Sequence, residues 1–157
     1  MNSAELTRAK QVVFRILKYR PRSKQETIEK LKAKNFSDEI IHETISYFTR
    51  IGELNDQRFA VGWVRSRLNK PLGIRRIRTE LKHKGIADAI IRHALEEAAE
   101  GYKESETVLT LARRRLRQYR NLESTTAKRR LYHYLIRRGF DHHTVLTCLH
   151  QIFYESL

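Results

Sequence analysis

The chain has 157 residues, of which 40% are hydrophobic and 32% charged, and its 32 Lys and Arg against 18 Asp and Glu give a net charge of +14. This balance argues against a disordered chain, and no apolar run approaches the roughly 20 residues a membrane span needs. With a single cysteine, Cys148, and an opening MNSAELTRAK without the apolar core of a signal peptide, the expectation is a reduced, cytoplasmic protein whose cations meet a polyanion.

In chain order, the first expected helix carries Val12, Val13, Ile16 and Leu17 at helical spacing. Ser23 followed by Glu26 predicts a capping box that opens a second helix. That helix ends near Asn35, a residue type that tolerates the left-handed conformation of a helix C-terminus, and Phe36 plugs the turn. Ile40, Ile41, Ile45 and Phe48 form the apolar stripe of a third helix. The pattern then recurs. Phe59, Trp63 and Val64 mark another first helix, and residues 73–98 repeat residues 23–48 at an offset of 50. In that copy Leu81 replaces Leu31, Gly85 replaces Asn35, Ile86 replaces Phe36, and Ile90, Ile91, Leu95 and Ala98 renew the stripe. Val108, Ala112, Leu116 and Tyr119 start a third round, and residues 130–152 follow the second copy at an offset of 54, with Leu135, Gly139, Phe140, Val145, Leu149 and Ile152 in register. Pro21 and Pro71 share one repeat position. A period of this size signals modules that bury their apolar faces on neighbours and bind along an extended surface. The expected fold is all-α: three tandem three-helix repeat modules, residues 1–54, 55–104 and 105–157, forming an elongated, curved, solenoid-like chain.

Charge placement points to the same surface. With Ile74, Ile77 and Leu81 directed inward, Arg75, Arg76, Arg78, Lys82 and Lys84 fall on the remaining arc of the second module's middle helix. The third module adds Arg113, Arg114, Arg115, Arg117 and Arg120 on its first helix and Lys128, Arg129, Arg130, Arg137 and Arg138 on its second. Solubility requires net charge but not segregation, whereas phosphate contact requires many cations on one face. The predominance of Arg favours bidentate contact with phosphates or carboxylates. These fifteen residues are the candidate partner- and DNA-binding face.

No catalytic, cofactor or metal site is expected. His142, His143, Cys148 and His150 have zinc-like spacing, but Cys148 aligns with Thr44 and Ala94 at a position for a small side chain, and His142 aligns with Asp38 and Asp88 near a helix start. Glu53 and Asp56 read as a turn and a helix cap, and the chain has no Gly-rich phosphate loop, nucleophile elbow or HExxH.

The segment GELNDQRFAVGWVRSR at residues 52–67, running on to GIRRIRTELKHKGI at residues 73–86, resembles the signature of the RecX regulatory proteins, bacterial modulators of the RecA recombinase. That signature reads G-x-L-[DN]-D-x-R-[FY]-A, then G-x-x-[RK]-I-x-x-E-L-x-x-K-G-[IV]. The stretches RSKQETIEKLKAKNF and LIRRGF resemble the family's first and last modules, so the resemblance covers nearly the whole chain. Asn55 stands where Asp is usual and Asn35 where Gly is usual, and both suit the turn and cap roles read above. The resemblance implies three helical modules that bind within the groove of the RecA filament on single-stranded DNA and inhibit its ATP hydrolysis, strand exchange and promotion of repressor cleavage, by steric and electrostatic means without catalysis. A protein lying along a groove is expected to act as a monomer. The motif residues Arg58, Phe59, Gly73, Ile77, Leu81 and Gly85 read as structural; Arg58 is open to pairing with Asp56 or Glu53 or to reaching the partner, with the structural role expected. The alternative is a RecA-independent helical DNA-binding protein that uses its turns as helix-turn-helix units. Its cation-loaded helices would then give backbone binding with steep salt dependence and little sequence preference.

Overall fold

The computed structural model describes residues 2–155. Among them the chain forms nine α-helices and no strand: α1 (Ser3–Tyr19), α2 (Lys24–Ala33), α3 (Asp38–Arg50), α4 (Asp56–Leu68), α5 (Ile74–His83), α6 (Asp88–Ala98), α7 (Glu104–Leu116), α8 (Ser124–Arg137) and α9 (His142–Tyr154), with a 3-10 turn at Arg117–Tyr119. The all-α, three-helix repeat expected from the sequence is what forms.

Identical turn chemistry explains why the helices stop where they do. At the end of α2 the N–H of Asn35 donates to the Lys32 carbonyl at 2.9 Å and that of Phe36 to Leu31 at 3.3 Å. The same pair of bonds recurs from Gly85 to Lys82 and Ile86 to Leu81, and from Gly139 to Ile136 and Phe140 to Leu135. This is the Schellman motif, in which one residue takes positive φ and the next packs on the residue that accepts its bond. Asn35, Gly85 and Gly139 have φ of 63, 75 and 86°. The matched pairs Leu31 with Phe36, Leu81 with Ile86 and Leu135 with Phe140 are therefore the apolar half of one helix stop, and all six side chains are buried.

Helix starts are less uniform. The Ser23 hydroxyl accepts from the Glu26 N–H at 3.1 Å while Glu26 Oε2 accepts from the Ser23 N–H at 3.0 Å, the expected capping box. Ser37 caps α3 through the Ile40 N–H at 3.3 Å and Asp141 caps α9 through the Thr144 N–H at 3.0 Å. At the corresponding start of α6 stands Ala87, whose methyl has no acceptor to offer. The middle helix also differs between repeats: α2 and α5 have 10 residues, but α8 has 14 and begins a turn earlier than the repeat alignment implies.

The chain divides into two compact units that do not coincide with the repeats. One comprises the residues up to Trp63 with Leu81–Glu97; the other comprises Val64–Glu80 with the residues from Ala98 onward, so α4 and α5 contribute to both. In the first, Ala9, Val13, Leu31, Phe36, Ile40, Ile41, Phe48 and Leu54 form a buried cluster beneath α1, α2 and α3. In the second, Val108, Ala112, Leu131, Leu135, Phe140, Val145, Leu149 and Ile152 do the same beneath α7, α8 and α9, and Cys148 fills a small position among them as Thr44 does in α3. Fully burying one such aliphatic or aromatic side chain contributes roughly 1.5–3 kcal/mol, so the equivalent stripes account for most of what holds each three-helix packet together.

Candidate polyanion-binding groove

The start of a middle helix is built against the turn and first helix of the following repeat, and this junction is made twice. In the first unit the Lys24 N–H donates to Asp56 Oδ1 at 2.9 Å, and the Ser23 hydroxyl donates to the Lys84 carbonyl at 2.7 Å. In the second the Ile74 N–H donates to Glu104 Oε1 at 3.3 Å, and the Gly73 N–H donates to the Arg138 carbonyl at 2.9 Å. Each time, the carboxylate that opens one first helix satisfies one free N–H at the start of the preceding repeat's middle helix. Burial pushes the Glu104 carboxyl above its usual range, despite backbone hydrogen bonds that favour its ionised form. The second junction brings two backbones close together: a Cβ on Gly73 would lie 2.1 Å from the Gly139 carbonyl carbon, and one on Gly139 would lie 2.3 Å from Arg76 Cβ.

At the first junction the charges are satisfied internally. Glu26 accepts from Arg20 Nη2 at 3.1 Å and from Lys84 Nζ at 2.8 Å. Burial would raise the Glu26 carboxyl, but hydrogen bonds from Arg20, Lys84 and the Ser23 backbone outweigh it and hold the group at about 2. The Lys84 ammonium also lies 4.4 Å from the centre of the Trp63 ring. Lys84 is thus spoken for within the protein, and Lys82 pairs with Asp88 at 3.5 Å in the same unit.

At the second junction a groove of about 510 Å³ opens, lined by Arg67, Lys70, Arg76, Arg137 and Arg138, with Pro71, Leu72 and Tyr134 as its less polar walls. Arg138 Nη1 donates to the Pro71 carbonyl at 3.1 Å, and its guanidinium lies 4.9 Å from the Tyr134 ring centre, which fixes it at the rim. Glu80 binds Arg67 and reaches Arg76 at 3.4 Å. Among the described residues neither Lys70 nor Arg137 makes an ion pair, so positive charge accumulates here.

The predicted cations therefore divide. Arg76, Arg137 and Arg138 meet in the groove, with Arg67 and Lys70 beside them, two residues the charge pattern did not single out. Lys70 occupies the repeat position of Arg20, and that alignment was the signal available for it. Arg113, Arg117 and Arg120 instead rim a second cavity of about 610 Å³, floored by Leu116, Leu122, Ile152 and Phe153. Arg115 is turned onto protein, its guanidinium 4.8 Å from the Tyr134 ring centre and its Nε donating to the Tyr119 hydroxyl at 3.2 Å. Lys128 lies 5.6 Å from the Tyr154 ring centre. Arg75, Arg78, Arg114, Arg129 and Arg130 are exposed on their helices. Arg58 makes neither of the ion pairs envisaged for it among the described residues: its Nη2 donates to the Gly52 carbonyl at 2.8 Å, and Asp56 Oδ1 accepts from the Lys24 N–H at the start of α2. His142 opens α9, as its alignment implied, and its Nδ1 lies 2.8 Å from the Tyr132 hydroxyl. No described helix is long and apolar enough to cross a membrane.

Comparisons with known proteins bear on the three helical repeats. Family models described as the first, second and third three-helix domains of RecX match residues 9–48, 55–95 and 103–149. The chain is 32% identical over 149 residues to the regulatory protein RecX of Streptomyces coelicolor, covering 94% of this chain and 79% of that one. It is 33% identical over 143 residues to the regulatory protein RecX of Chlorobium phaeobacteroides, covering 90% and 91%. The crystal structure of RecX from Lactobacillus salivarius superposes with a TM-score of 0.83 over 97% of this chain and 99% of that one at 22% identity, a likeness of fold. Family models across all three repeats, together with relatives matched over most of their length, establish that the chain belongs to the RecX family of regulatory proteins.

Proposed function

We propose that this protein binds along the groove of the RecA filament on single-stranded DNA and inhibits its ATP hydrolysis, strand exchange and coprotease activity. It acts as a monomer in the cytoplasm, through three modules divided near residues 54 and 104, and performs no chemistry. Membership of the RecX family supports the partner. The observation that carries the mode of action is the gathering of Lys70, Arg76, Arg137 and Arg138 along one groove at the start of α5. A nucleoprotein filament presents phosphates and protein carboxylates, and a rigid cationic face laid across successive subunits restrains their rearrangement. Such binding weakens steeply with salt, because each phosphate neutralised on a single strand contributes about 0.7 to the slope of log K against log salt.

The test is RecA ATP hydrolysis on single-stranded DNA, titrated with substoichiometric protein, with excess free DNA as competitor. Lys70 and Arg137 changed together to Glu provide the comparison. Inhibition that survives the competitor and weakens in the variant supports the reading. No inhibition at any ratio, with tight binding to bare DNA, replaces it with RecA-independent DNA binding.

A further inference from the structure

The two junctions are copies of each other, so each serves as a control for the other. At the repeat offsets, Arg20 corresponds to Lys70, Glu26 to Arg76 and Lys84 to Arg138. In the first junction two cations, Arg20 and Lys84, grip one carboxylate, Glu26. The second keeps both gripping cations as Lys70 and Arg138 but puts a third cation, Arg76, in the carboxylate's place; the nearby Glu80 pairs with Arg67 and Arg76, not with Lys70 or Arg138. Arg137 adds a fourth charge at the end of α8.

From this charge reversal we infer that the second junction is a seat for the phosphodiester backbone of single-stranded nucleic acid, holding the strand directly. At the first junction Glu26 supplies the anion between the two cations; at the second Glu80 is taken by Arg67 and Arg76, so the counterpart cations Lys70 and Arg138 draw theirs from the ligand. The inference deepens the reading of the basic face as a contact surface, and rests on it. A phosphodiester chain fits better than a partner's carboxylate. One carboxylate is matched at the first junction by two cations, whereas here Lys70, Arg76, Arg137 and Arg138 line about 510 Å³, enough charge for successive anions. Three of the four are guanidiniums, which take phosphate oxygens in bidentate fashion. The seat is rigid, because the Gly73 and Gly139 backbones touch beneath it and Arg138 is tied to the Pro71 carbonyl at 3.1 Å.

The deciding variant is Arg76→Glu, which writes the first junction's charge pattern into the second. Binding of the full chain to a fluorescein-labelled thymidine oligonucleotide is followed by anisotropy across a salt series without RecA, and melting is recorded alongside. The variant removes one contact and engages Lys70 and Arg138 internally. Three lost contacts at about 0.7 each predict a salt slope shallower by about 2 and an affinity at least about tenfold weaker at moderate salt. Its melting temperature is expected to fall only slightly, because the exchange removes the surface Arg76–Glu80 pair at 3.4 Å and sets two carboxylates four residues apart. Arg15→Glu, the same charge change on the exposed face of α1, is expected to alter affinity less than about twofold. Should Arg76→Glu fold poorly, Arg137→Ala reads the same seat, with a slope change of about 0.7. Equal losses from Arg76→Glu and Arg15→Glu would reduce the effect to net charge and overturn the assignment. So would an Arg76→Glu chain that keeps the oligonucleotide but loses inhibition of RecA, which would give the groove to protein carboxylates. Because the oligonucleotide assay contains no RecA, failure of the filament reading leaves its result intact.

Discussion

Exchanging Glu26 for Gln probes the half-buried charge that completes the first junction. The Glu26 side chain is 15% exposed and accepts from Arg20, Lys84 and the Ser23 N–H. Its carboxyl falls from 4.5 to about 2 on folding. At about 1.36 kcal/mol per pKa unit, this corresponds to roughly 3 kcal/mol of stability. The folded value is the lower one, so the contribution is fully present above the unfolded value of 4.5 and drains away as pH falls towards 2. At about pH 3 roughly 2 kcal/mol of it is gone. Glutamine preserves the shape and one acceptor but leaves two cations facing a neutral amide. The variant should therefore lose about 2–3 kcal/mol at neutral pH and show a much flatter acid dependence than the parent. Urea denaturation followed by far-ultraviolet circular dichroism, at neutral pH and near pH 3, measures both quantities. Parallel loss of stability in the two proteins across this window would mean that Glu26 titrates normally, and the argument from its three donors would be refuted.

Gly139→Ala combines a φ of 86° with a Cβ 2.3 Å from Arg76 Cβ, whereas Gly52→Ala, at a φ of 79°, meets no atom within 4 Å. The left-handed strain of about 1–2 kcal/mol is common to both, so the excess cost of Gly139→Ala in chemical denaturation measures the close approach at the second junction. Ala87→Asp supplies the helix cap that Ser37 and Asp141 give the other two repeats, and is expected to raise stability by about 1 kcal/mol in the same assay. Leu135→Ala, which removes a fully buried side chain at the Schellman contact with Phe140, should cost about 2–5 kcal/mol and lower the melting temperature.

The repeat made the local structure readable. Leu31, Leu81 and Leu135 declared themselves because the helix stop needs an apolar residue there in every copy, and Asn35, Gly85 and Gly139 because φ is positive at each. The starts were less legible: α8 begins a turn before its counterparts, and Ala87 gives no signal at all. The candidate groove was half visible. Arg76, Arg137 and Arg138 stood out as cations, and the charge reversal between Glu26 and Arg76 was present in the alignment. Its meaning depended on a contact of long sequence separation, between the start of one middle helix and the turn after the next, which no periodicity encodes. The same contact made Lys84 an internal partner of Glu26 although its helix position pointed outward.

The junction also carries a consequence for biosynthesis. A ribosome delivers the chain from its N-terminus, yet the start of α2 is completed by Asp56, 32 residues downstream of Lys24, and by Lys84, 61 residues downstream of Ser23. The first helices can coil as they emerge, but their ends stay unsatisfied until the following repeat is outside the exit tunnel. The first and second repeats are thus each finished by their successor. Assembly lags translation by about one repeat, and a ribosome stalled within α4 would expose a nascent chain whose capping box is made but whose half-buried carboxylate still lacks Lys84.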